Sequence, residues 1–113
     1  MSDILDRLKA YRDGTPTIPF EVPEWGLSAY VRPISANHHA NIAKAEKGHN
    51  ARMAARMIMA CVVDEKGDQV FKDDAPTMAE LVAQPSPLIA RIGQDIIRAL
   101  GMGDDDPDAA KNS

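Results

Sequence analysis

A chain of 113 residues is long enough for one domain with a single modest core and too short for two. Its 44% hydrophobic and 27% charged residues argue against wholesale disorder, and an aromatic share of only 4% favours a core of Leu, Ile, Val, Met and Ala between packed helices over a large sheet. The net charge of −4 withholds the cationic surplus that drives nucleic-acid binding, so neither nucleic acid nor, with no apolar run near the ~20 residues that span a bilayer, a membrane is an expected partner.

Ser2 to Arg12 reads as a short helix with Ser2 as cap, Asp3 at its positive end, and Ile4, Leu8 and Tyr11 in a stripe; Gly14 ends it. Alone such a helix is marginal in water, so it docks through the stripe or frays. The period then changes to two. Ile18, Phe20 and Val22 alternate, and Leu27, Ala29 and Val31 repeat the pattern after a break at Pro23 to Gly26, which predicts a β-hairpin. Pro19 and Pro23 lack ladder donors, so the first strand is expected to be an edge or irregular. Trp25 at the turn has two readings: a cover for the hairpin or the helices, or an exposed anchor for a partner.

Ser35 caps a helix running to about Lys47, whose apolar face is thin, with Ile42 its one large aliphatic residue. Gly48 and Asn50 break the chain before the segment of highest apolar density, Ala51 to Asp64, which reads as a central helix. Met53, Ala54, Met57 and Ile58 share one face of it and Arg52 and Arg56 another, while the stretch from Met59 to Val63 is apolar all round and calls for burial. Asp64 to Asp68 is a turn, and Gln69 to Phe71 an extended return that carries Phe71 back to the core. Thr77 and Glu80 form a capping box for a helix from Thr77 to about Ala83. Ser86 and Pro87 open the last helix, with Ile89, Ile92, Ile96 and Leu100 in a stripe and Gly101 as its stop; Gly93 inside it is tolerable where another helix crosses. Residues 104–113 are acidic and polar, which predicts disorder.

The expected fold is mostly α with a small β-hairpin, an α+β domain. Residues 1–14 form a first helix, 15–103 a single helical domain with the hairpin at its start, and 104–113 the tail. Catalytic chemistry finds no support. His38, His39 and His49 lack the spacing of metal ligands, Asp64 and Asp68 lack the closing glutamate of a calcium loop, and no nucleophile or phosphate-loop motif occurs. No catalytic residue, metal or cofactor is therefore expected, and Cys61, alone in the most apolar segment, reads as a packing residue in a reducing compartment. Thioethers adapt to varied apolar partners, so Met53 and Met57 on the central helix and Ile92 and Ile96 on the last become candidate partner-binding residues, with Trp25, Arg52 and Arg56 beside them. Core filling is the competing assignment for the methionines, and a solvated face for the arginines.

The run VPEWGLSAYVRPIS from Val22 to Ser35, an Ala-rich helix, then ARMAARMIMACVVDEKGDQVF from Ala51 to Phe71, a last helix and an acidic tail together resemble the tail assembly chaperones of long-tailed (siphophage-type) phages and prophages. The resemblance covers most of the chain. It implies a protein of the bacterial host cytoplasm, absent from the mature virion, that binds the tape measure protein and keeps it soluble until the tail tube polymerises around it. It also implies, in many members, a longer product of programmed frameshifting whose extension recruits the tail tube protein; Ala110, Lys111 and Asn112 are compatible with the codons GCA AAA AAC, which contain a slippery heptamer. Homo-oligomers are compatible with partly apolar helices. The alternative is a small helical regulatory adaptor or a helix-turn-helix nucleic-acid binder built on the two helices around Gly48, with Arg52 and Arg56 as its basic residues.

Overall fold

The alternating segments pair as expected. In the computed structural model, which describes residues 2–101, β1 (Ile18–Val22) and β2 (Leu27–Val31) run antiparallel with Ile18 opposite Val31 and Val22 opposite Leu27. A 3-10 turn, Pro23–Trp25, joins them, and Gly26 at φ 61° closes it by donating its N–H to the Pro23 carbonyl at 3.0 Å. This left-handed conformation is one that a β-carbon disfavours. Val22, Ala29 and Val31 face inward, and β1, which carries Pro19, is the outer strand.

The central helix is shorter than its apolar run. α3 spans Asn50–Cys61, and Val62–Val63 leave it as β3, pairing antiparallel with Tyr30 and Val31 of β2. The Ala51 to Asp64 expectation is corrected here for a physical reason. Two consecutive β-branched residues lose side-chain freedom in a helix, whereas β2 offers them open ladder positions. The chain then turns at Asp64, whose carboxylate accepts the backbone N–H groups of Lys66 at 2.8 Å and Asp68 at 3.0 Å. It returns through a bridge between Gln69 and Val63, bringing Phe71 to the edge of the core.

The remaining helices are α2 (Ala36–Ala45), α4 (Ala75–Val82) and α5 (Ser86–Ala99). Ser35 caps α2 as its sequence position implies, its hydroxyl accepting the His38 N–H at 3.1 Å, and Gly48 at φ 81° makes the turn into α3. α4 begins earlier than the Thr77–Glu80 pattern suggests. Asp74 caps it by accepting the Thr77 N–H at 2.9 Å, which lets Pro76 sit in the first turn where its missing donor costs nothing. Pro85, with no side-chain cap, precedes α5, and Gly101 at φ 68° ends it.

The core lies where α3 crosses α5, with α4 and the sheet closing the sides. Gly93 permits the crossing: a β-carbon built there would lie 3.2 Å from the Ala54 β-carbon. Ile58, Met59, Ile92, Ile96, Val31 and Val62 are sealed together around this contact. α1 (Ser2–Asp13) stands apart: among the described residues no other element packs extensively against it. The predicted acidic tail, residues 104–113, lies outside the described residues.

Candidate functional site

Of the seven side chains singled out for a partner, three are interior. Met57 is 4% exposed, Ile92 1% and Ile96 0%, all within one cluster with Ile58 and Met59. Their helical stripes face each other across the α3–α5 crossing, so the core consumes the surface expected to meet a client. Trp25 and Met53 are half-buried and pack against the edge of that cluster.

Trp25 is held at the hairpin corner. Its Nε1–H donates to Gln84 Oε1 at 3.1 Å, and its ring meets Phe71 edge to face with centroids 6.0 Å apart. The neighbouring Glu24 is clamped by Arg91 of α5 through two hydrogen bonds of 2.6 and 2.9 Å. This bidentate contact fixes the hairpin turn to α5, and the Arg91 hydrogen bonds hold the Glu24 carboxyl down at about 2. Trp25 therefore covers the helices, as one of its two readings had it, and still shows one edge to solvent.

Arg52 and Arg56 have partners within the chain. Glu46, 3% exposed, accepts Arg52 Nε–H at 2.9 Å and Arg56 Nε–H at 3.0 Å, and Arg56 Nη1 also reaches Asp73 at 2.9 Å. The two guanidinium groups depress the Glu46 pKa below its ordinary value. The same carboxylates neutralise the charges that a nucleic-acid reading of α2 and α3 requires. Sequence reasoning missed this clamp because Glu46 and Arg52 lie on opposite sides of the Gly48 turn, outside the three- and four-residue spacings that reveal pairs within one helix.

Neither histidines nor cysteine gather into a reactive centre. His38 lines a cavity of about 180 Å³ with Ile42, Met59, Gln69, Arg56 and Asp73. Among the described residues no group of three His, Cys, Asp or Glu side chains is placed to hold a metal ion. Burial pushes the Cys61 thiol up to about 11, away from the thiolate form that reacts. No helix among these residues is long and apolar enough to cross a membrane.

Apolar surface is nonetheless present, on α1 and in a groove. Ile4, Leu5, Leu8 and Tyr11 are 54%, 55%, 59% and 81% exposed; among the described residues the next most open large hydrophobic side chain is Val70, at 38%. The stripe of Ile4, Leu8 and Tyr11 was legible in the sequence, but its lack of a partner was not. Between α3, α4 and α5 runs a mostly apolar groove of about 150 Å³, lined by Ala51, Ala54, Val82, Ile89 and Ala90 and rimmed by Gln84. Small side chains on α3 and α5 keep its floor open.

Comparison with known proteins bears on this arrangement. The chain is similar in fold to the tail assembly chaperone of bacteriophage HK97, at a TM-score of 0.64 and 20% sequence identity over 92% of this chain and 100% of that one. Comparison with curated proteins finds no match. The sequence model of the phage tail assembly chaperone family matches residues 17–100, from just before β1 to the end of α5 and leaving out α1. That span covers the greater part of the chain, and the chain belongs to the phage tail assembly chaperone family.

Proposed function

We propose that this chain binds the tape measure protein of a long-tailed phage in the host cytoplasm, covers its apolar helical surface until the tail tube polymerises around it, and is left out of the mature virion. The observation that carries the reading is the family match across residues 17–100. A long helical client exposes apolar stripes that aggregate unless amphipathic surface covers them. Of the residues singled out in the sequence, those that still reach solvent are assigned to the client: Trp25 and Met53 as apolar contacts, with the outer edges of Arg52 and Arg56 beside Met53 on α3. Met57, Ile92 and Ile96 support that surface from beneath. A frameshifted longer form, recruiting the tail tube protein, belongs to the same proposal.

The test is co-expression with the tape measure protein encoded by the same phage or prophage. A soluble complex on size exclusion is expected, and Trp25→Ala with Met53→Lys should weaken it about 30-fold, the effect of losing one interface hot spot. A tape measure protein that precipitates equally with and without this chain refutes the proposal.

A further inference from the structure

The groove between α3, α4 and α5, at about 150 Å³, has room for one side chain. An apolar cavity of roughly that size takes up a single benzene molecule. The space exists because Ala51 and Ala54 on α3 and Ala90 on α5 stop at a β-carbon, and Val82 and Ile89 add apolar walls. The rim of Asn50, Gln84 and Ser86 is polar but uncharged. We infer that this groove is an anchor subsite, in which a helix of the client seats one uncharged apolar side chain of leucine or phenylalanine size. The inference rests on the proposed client binding and adds to it the place and the side-chain class of one contact.

Three observations select this occupant. The first is charge. No lining residue is charged, and the nearby Arg52 and Arg91 are already engaged by Glu46 and Glu24. A charged side chain entering the groove would lose its hydration without gaining a counter-ion, whereas an aliphatic or aromatic one gains by leaving water. The second is continuity. Gln84 on the rim accepts the Trp25 Nε1–H at 3.1 Å. Asn50, also on the rim, precedes Met53 by three residues on α3 and is therefore its neighbour on the helix surface. The groove thus adjoins both apolar residues assigned to the client. Successive turns of a client helix are about 5.4 Å apart, so one side chain can enter the groove while those a turn away meet Trp25 or Met53. The third is extent. One seated side chain buries on the order of 100 Å² of its own surface, far below the roughly 1,200 Å² of a stable interface. The groove therefore acts as one part of a larger contact, and every residue lining it lies within the span 17–100 that the family model matches.

The experiment fills the groove from this chain's own side. Ala51 and Ala90 are exposed and lie on different helices, so A51L and A90L occupy the space without disturbing the core. Each should fold with a urea midpoint no lower than the parent's, followed by circular dichroism. Each should also weaken capture of the tape measure protein encoded by the same phage or prophage by about 10- to 100-fold, the effect of shutting one apolar side chain out of its seat. A40L, which puts the same side chain at an exposed position of α2, should leave capture unchanged. In the parent chain the methyl resonances of Val82 and Ile89 should shift when the client is added, a readout that needs no variant. A parent that captures the client while A51L and A90L capture it equally well, or with those resonances unmoved, overturns the inference and leaves the chaperone proposal standing. A parent that captures no client overturns both. Filling variants that abolish self-association of this chain but not client capture identify a second copy as the occupant, and overturn the inference as well.

Discussion

Replacing Ile96 by alanine tests whether the α3–α5 crossing is the interior of this protein. Ile96 is 0% exposed and sits in one cluster with Ile58, Met59 and Ile92. The substitution removes three buried carbons and leaves a void that the clamped surroundings collapse into only in part. Transfer and cavity terms together cost about 3 kcal/mol. Against a total stability of roughly 5–15 kcal/mol for a domain of this size, that is a large share. At about 4–8 °C per kcal/mol the melting temperature should fall by some 12–24 °C. Leu8→Ala is the control: Leu8 is 59% exposed on α1, so its loss should change stability by no more than about 0.5 kcal/mol in dilute protein. Urea unfolding followed by circular dichroism at 222 nm measures both. An Ile96→Ala variant that loses less than about 1 kcal/mol would mean that the crossing is not the packed core described here.

Two further outcomes follow from contacts that only the folded chain makes. The Glu24 pKa is held at about 2, below its ordinary 4.5, and that of Glu46 is lowered too; stability from these depressed carboxylates is fully present above the unfolded-state value and is lost as pH falls from about 4.5 toward 2. Glu46→Gln should lower the urea midpoint at pH 7 and flatten its fall between pH 5 and pH 3; a midpoint identical to the parent at both ends of that range would show that the Arg52–Glu46–Arg56 clamp contributes nothing. Gly93→Leu should force α3 away from α5, because a β-carbon there already lies 3.2 Å from Ala54, and should cost about 1–3 kcal/mol. Retained stability on chemical unfolding would show that the crossing can shift to admit the larger side chain.

Local chemistry determined much of this protein. The period of two on either side of Pro23 to Gly26, the Ser35 cap and the isoleucine stripe ending at Gly101 each specify an element from within a few residues, and each is present. The VPEWG turn, the strand after it and the Ala51 to Phe71 run carried the family resemblance, because they are read residue by residue. Tertiary structure decided the rest. Val62 and Val63 are helix or strand according to whether a sheet edge stands beside them, which their own sequence does not specify. Glu46 meets Arg52 and Arg56 only after the chain has turned at Gly48. Met57, Ile92 and Ile96 on one side and Ile4, Leu5 and Leu8 on the other are chemically alike, and amphipathic spacing marks both sets as surfaces in need of cover. Which set the chain covers for itself depends on which faces meet in space, and here α3 and α5 satisfy each other while α1 is left with its apolar side chains in water.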